Sequence, residues 1–323
     1  MRCTVHWLAA LLALPLAGAA PAFGQAFPAK PITLIVGTAT GGPMNAIGRL
    51  VGDELEKAWG QPVIVDNKPG AGGLLGANFV KRAAPDGYTL LMNADAVTTF
   101  NLFIKDANFD PIKDLLPITQ LTDTYYTVFT GAKGPAKTLK EFVAYGKANP
   151  GKMNYAGIGQ TSSYLDSLLV LRTLGLDLVM IPYGGAATGV PAMLANDIQM
   201  YLTTFSVMGP HLKEGNIVAM ATTAPTRLRE LPNVPTMKEE GFDMVGTGTW
   251  FGLMAPLGTP QPIIDKLATG AKQAMNQPEV LARIRDTMGQ TVMTDGPKAM
   301  SERLARDFKV RAEIARVAKI EPQ

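Results

Sequence analysis

Ile32-Thr33-Leu34-Ile35-Val36-Gly37-Thr38-Ala39-Thr40-Gly41-Gly42-Pro43-Met44-Asn45 reads as a short apolar strand, a glycine-rich turn and the first turn of a helix. The helix is well marked. Met44, Ile47, Leu50, Val51, Leu55, Ala58 and Trp59 recur on one face, with Asp53, Glu54, Glu56 and Lys57 between them, and Gly60 stands where a helix-ending glycine belongs. A strand, a tight turn and a helix in this order predict an α/β fold with parallel strands. The same arrangement makes an anion site. The first helical turn leaves N–H groups unpaired, its dipole favours negative charge, and glycine lets a ligand approach the backbone. Two more such turns follow, Pro69-Gly70-Ala71-Gly72-Gly73 after Val63-Ile64-Val65, and Ala156-Gly157-Ile158-Gly159-Gln160-Thr161-Ser162-Ser163.

Working outward, further strands are expected at Thr89–Met92, Tyr125–Thr130, Leu178–Ile181, Ile198–Leu202, Val218–Thr222 and Trp250–Ala255. Helices are expected at Gly76–Ala83, Leu139–Ala148, Ser162–Leu174, Ala187–Ala195, Ile263–Met275, Glu279–Met288 and Pro297–Val317, the last with its charges on a solvated face. Tyr125–Thr130 and Trp250–Ala255 flank a block of domain size, so the chain is expected to cross twice between two lobes. The expected division is residues 27–125 plus 251–323 for one lobe and 126–250 for the other, with a ligand cleft between them.

The first 26 residues read as an export leader, with Arg2, an apolar run from Trp7 to Ala20, and Gly24-Gln25-Ala26 as the cleavage site. Cys3 is the only cysteine, so the mature chain has no disulfide, thiol nucleophile or cysteine-held metal. The formal charge of +3 loses one unit with Arg2, and no dense basic stripe points to nucleic acid. His211, beside the turn Gly209-Pro210, is the one mature histidine, which leaves little room for a Ser-His-Asp site or a histidine metal centre. The glycine turns match neither a phosphate-loop nor a dinucleotide motif, so no cofactor is implied. Glycine turns in an exported chain without catalytic side chains point to a binder of small anions.

Eight blocks, spaced in order through the mature chain, resemble the periplasmic solute receptors of the tripartite tricarboxylate transporters, the Bug receptors. They are Lys30–Val36, Gly41-Gly42-Pro43, Gln61–Gly73, Ala84–Leu91, Asn149–Ala156, Pro182-Tyr183-Gly184-Gly185, Leu231–Thr236 and Trp250–Pro256. The resemblance implies a two-lobed Venus-flytrap receptor of type II-like architecture in the periplasm. It also implies a monomer that captures a small carboxylate and delivers it to separate membrane permease subunits. A binding protein that feeds a periplasmic sensor is the alternative. In the family two glycine-rich loops, one per lobe, grip the carboxylate, and they correspond here to Thr38–Asn45 and Gly157–Ser163.

The candidate contacts are therefore Thr38, Thr40, Gly41, Gly42, Asn45, Gly159, Thr161, Ser162, Ser163, Tyr183, Thr203 and Thr204. Each has a plainer reading as well. Gly41 and Gly42 also suit a tight turn, Asn45 and the Thr161–Ser163 hydroxyls also suit helix caps, and Tyr183 also suits packing. Asp95 either meets a ligand amine, repels anions or is a solvated loop acid, and Trp250 either lines the cleft or braces the hinge. Asn45, Tyr164, Gly184 and Thr203 stand where the family commonly carries ionisable groups. A pocket short of charges suits one carboxylate with a neutral or aromatic remainder, because an unpaired buried charge is costly.

Overall fold

The computed structural model describes residues 27–323 except 39, 160, 184–185 and 245–246. The leader and Gly184 lie outside the described residues. The chain is two-lobed α/β. One lobe is built on β1 (Ile32–Val36), β2 (Val63–Asn67), β3 (Thr89–Ala94) and the later β9 (Gly248–Pro256). β1 is parallel to both β2 and β3, and β9 runs antiparallel to β3.

The period of two along β1 decides which helices pack on which face. Leu34 and Val36 meet α1 (Pro43–Trp59) and α8 (Gln261–Met275) through Ile47, Val51, Leu55, Ile264 and Leu267. Ile35 meets α2 (Leu74–Lys81), α3 (Phe100–Phe103) and α10 (Gly296–Val317) through Leu74, Val80, Phe100, Met300 and Leu304. Each fully buried Ile or Leu here contributes about 2 kcal/mol through apolar burial. Gly60 closes α1 at φ 65°, its N–H donating to Glu56 O.

β4 (Leu115–Gly131) is far longer than the strand expected at Tyr125–Thr130. Its first part pairs antiparallel with β9 as far as Tyr125. From Tyr126 it pairs instead with β7 (Tyr201–Thr204) and β8 (Ile217–Thr222). One strand thus runs from the first core to a second. In that core Tyr126 and Val128 pack with α4 (Leu139–Ala148) and α5 (Ser162–Leu174), through Phe142, Val170 and Leu171. Phe129 turns to the other face, against Val190 and Met193 of α6 (Val190–Ala195) and Met208 of α7 (Phe205–Lys213). β5 (Asn154–Gly157) and β6 (Val179–Pro182) form a separate parallel pair. α9 (Pro278–Ala282) runs into a π-helical stretch, and β10 (Thr291–Val292) caps the edge of β4.

Three expectations change. The turn at Gly209-Pro210 is inside α7, so His211 lies in the last turn of a helix, its Nδ1 3.5 Å from Glu214. Proline costs a helix one backbone bond, and the packing of Met208 and Leu212 against the second lobe's core offsets that loss. β5 and the first half of β4 lack an apolar alternation that would announce them. The charge run of α10 is solvated only in part. Arg303, Asp307 and Arg311 turn inward, Arg303 Nη1 donating to Asp123 Oδ2 at 2.8 Å and Nε to Asp307 Oδ2 at 2.9 Å.

Candidate functional site

The carboxyl ends of parallel strands carry loops toward one place, as open α/β sheets generally do. Behind β1, Gly37 lies back to back with the turn after β2, where a Cβ on Gly37 would stand 3.2 Å from Gly73 Cα. That turn, Gly70–Gly73, holds four successive residues at positive φ, and one of them, Ala71 at 46°, is not glycine. Left-handed alanine is strained and persists only where its surroundings enforce it. Asn93, at the end of β3, secures the turn by donating from Nδ2 to Gly73 O.

A cavity of about 400 Å³ opens beside this turn. Ala71 and Gly72 line it from the first lobe, with Ala94 at the end of β3 and Asp95, Ala96, Thr99, Phe100, Phe103 and Ile104 from the segment after it. Thr161 and Ser162, at the start of α5, line it from the second lobe, and Thr249 from the start of β9. Thr161 is the N-cap of α5, its Oγ1 accepting from Tyr164 N–H and donating to Ile158 O. Its hydroxyl also lies 2.9 Å from that of Ser163. Cap and cavity wall are thus the same residue. With the helix dipole behind it, the free N–H groups of this turn favour an anion.

Asp95 is buried in an ion cluster rather than solvated. Its Oδ1 accepts from Thr249 Oγ1 at 2.6 Å, and its Oδ2 lies 2.7 Å from Arg311 Nη2. Arg311 also donates through Nη1 to Thr98 Oγ1 and Asp95 O, and through Nη2 to Asp166 Oδ2 at 3.0 Å. One guanidinium on α10 therefore ties the 95–98 turn of the first lobe to α5 of the second. Burial pushes the Asp166 carboxyl up to about 6, against the pull of Arg311. Burial alone would lower Arg311, but the carboxylates of Asp166 and Asp95 outweigh it and hold the guanidinium above its usual range.

The other expected contacts are placed as follows. Among the described residues, none of Thr38–Asn45 lines the cavity. Thr38 O accepts from Asn67 Nδ2, and Asn45, buried in the first turn of α1, donates from Nδ2 to Asn67 Oδ1 at 2.8 Å. Thr40 and Gly41 are exposed, and Gly42 is the N-cap of α1 in extended conformation. Gly159 is exposed, with open space where a Cβ would stand. Tyr183 packs against the second lobe's core beside Ile181, and burial raises its hydroxyl pKa. Thr203 is buried opposite Thr127 on β4, and Thr204 bonds Ser206 at the start of α7. Trp250 braces β9 on α10, its Nε1 donating to Asp307 Oδ2 at 2.9 Å.

The lining outside the candidate contacts is Ala71 and Gly72, which belong to a glycine turn already read as an anion site, and Ala94, Ala96, Thr99, Phe100, Phe103, Ile104 and Thr249. Only the glycine turn had a local signal. Among the described residues, no group of His, Cys, Asp or Glu is arranged to hold a metal ion, and no helix is long and apolar enough to cross a membrane.

The profile of the tripartite tricarboxylate transporter family receptor matches residues 47–313. A protein of Cupriavidus necator, the UPF0065 protein in the gbd 5′ region, is 39% identical over 84% of this chain and 82% of its own. The periplasmic binding protein BugD superposes with a TM-score of 0.73 at 30% identity, over 92% of this chain and 100% of that one. MatC of Rhodopseudomonas palustris, solved with bound malate, gives 0.72 at 30% identity over 90% of this chain and 100% of that one. The chain belongs to the tripartite tricarboxylate transporter receptor family, whose members are periplasmic solute-binding proteins rather than enzymes.

Proposed function

We propose that this receptor captures a small carboxylate in the periplasm for a tripartite tricarboxylate-type secondary transporter, handing it to separate permease subunits as a monomer. The observation that carries this reading is the cavity of about 400 Å³ onto which the N-terminus of α5 opens, with Thr161 and Ser162 on one side and Gly72 on the other. Backbone N–H groups and hydroxyls can hold a carboxylate there without a cationic side chain. The malate bound by MatC is in keeping with such an anchor.

The lobes in this reading are residues 27–125 plus 251–323 and residues 126–250, preceded by a cleaved leader. The change of strand partner along β4 between Tyr125 and Tyr126 supports the first boundary. The loop Thr38–Asn45 flanks the 70–73 turn and forms the rim that meets the ligand when the lobes close, and Gly157–Ser163 meets it from the other lobe. Tyr183, Thr203 and Thr204 belong, in the same reading, to the second lobe's share of the ligand site.

Thermal melts of the mature chain with carboxylates, and with their amides as neutral controls, test the proposal. A ligand at a hundred times its Kd stabilises the folded state by about 2.7 kcal/mol. Carboxylates should raise the melting temperature and matched amides should not. Equal stabilisation by acid and amide refutes the anchor.

A further inference from the structure

The cavity has a charge count as well as a volume. Asp95 is the one ionisable residue among its described lining, and that residue is an acid. Its two oxygens are already engaged by Thr249 and Arg311. No lysine, arginine or histidine lines the cavity among the described residues. The undescribed positions after residue 26 are Ala39, Gln160, Gly184, Gly185, Val245 and Gly246, so their identities add no cation either. One carboxylate is served by the start of α5. A second carboxylate on the same ligand would be buried without a counter-charge and close to a carboxylate of the protein, which is strongly unfavourable.

What the cavity offers instead is a fixed apolar wall. Phe100 and Phe103 are almost wholly buried, at 3% and 4% exposure. Phe100 is held edge-on by Phe109, with ring centroids 5.3 Å apart. Phe103, on α3, is wedged against α5 and α10 through Leu165, Ile314 and Ala315, with the Tyr164 ring 6.5 Å away. Both rings are packed on their far sides by other apolar side chains. They present a surface already shaped for an apolar group, so little entropy is lost when that group binds.

We propose that the ligand class is a monocarboxylate with an alkyl or aromatic remainder, and that Phe103, with Phe100 and Ile104, determines this specificity by receiving that remainder. The inference rests on the carboxylate-receptor reading and narrows it. MatC, a relative at 30% identity, is solved with malate, which carries two carboxylates, so the proposal sets this chain's ligand apart from that relative's.

Matched ligands test it on the intact mature chain by calorimetric titration, after unfolding and refolding to strip any carried ligand. Hexanoate and adipate share a six-carbon chain and differ by one carboxylate. Hexanoate should bind at least about a hundredfold tighter, as expected for one buried unpaired charge. Adipate binding as tightly as hexanoate overturns the proposal and leaves the receptor reading intact. Hexanamide binding as tightly as hexanoate overturns the anchor and leaves the apolar wall intact. If neither acid binds, both fall.

Phe103→Leu separates specificity from mere packing. It keeps an apolar side chain in the interlobe cluster, and its folding is checked by its melt. Phenylacetate should lose about tenfold in affinity, while hexanoate loses much less, because an aromatic pair contributes beyond the area it buries. A uniform loss for both ligands assigns Phe103 a structural role only and overturns its part in specificity.

Discussion

Arg311→Met should destabilise this protein more than most single changes, because it removes the one cation from a buried cluster with two acids. The side chain is 3% exposed and donates to Asp166 Oδ2, Thr98 Oγ1 and the carbonyls of Asp95 and Gly248, besides its contact with Asp95 Oδ2. Methionine fills similar volume, so the loss is electrostatic. Removing one partner of a buried ion pair costs about 3–5 kcal/mol, since the charge left behind is uncompensated. For a chain of this size each kcal/mol lowers the melting temperature by roughly 2 °C, so the drop should be about 6–10 °C at pH 7.5. The triple variant Arg311→Met, Asp95→Asn, Asp166→Asn removes all three charges and should recover most of the loss, because neutral replacement of a whole cluster is often close to neutral in stability. Circular-dichroism melts and urea titrations of the three proteins measure this. A single variant that melts within about 2 °C of the parent, or a triple variant no better than the single, refutes the account of the cluster.

The same cluster gives a pH signature. With its carboxyl pushed up from 3.8 to about 6, Asp166 binds a proton more readily in the folded state, so its contribution to stability falls as pH rises through about 6 and is most favourable below the unfolded value. Between pH 8 and pH 5 the parent should therefore gain about 1 kcal/mol relative to Asp166→Asn in paired urea titrations; an equal pH response of the two proteins rejects the raised value. Gly42→Leu probes the rim of the first lobe. Gly42 has φ −81° and ψ 167°, and a Cβ placed on it would meet no atom within 4 Å, so the variant should melt within about 1 °C of the parent. It should nevertheless bind carboxylates at least about tenfold more weakly by obstructing the approach to the backbone, and unchanged binding would confine the site to the 71–72 turn and the start of α5.

Local sequence was enough for the elements whose signals are local. The run Ile32–Val36, the turn after it and the amphipathic stripe of α1 are covered by rules that act within one or two turns of chain, and the structure has them as β1 and α1. The same holds for α4, where Thr138 and Glu141 form a reciprocal capping box. The first half of β4 was not legible in this way. Thr119, Gln120, Thr122, Asp123 and Thr124 read as a polar segment, yet all are buried, because β9 supplies the backbone pairing and Arg303 supplies a charge for Asp123. Nothing within that segment announces partners more than a hundred residues away.

The site divides along the same line. Sequence by itself determined the glycine turns, the cap at Thr161 and the scarcity of ionisable groups, since those depend on residue type and immediate neighbours. Only the tertiary structure decided which turn borders the cavity, that Phe100 and Phe103 wall it, and that Asp95 is paired rather than solvated. Asp95, Asp166 and Arg311 lie on three separate elements and meet only because α10 returns across both lobes. Contacts of that kind are set by the packing of whole helices and strands, which no window of sequence contains.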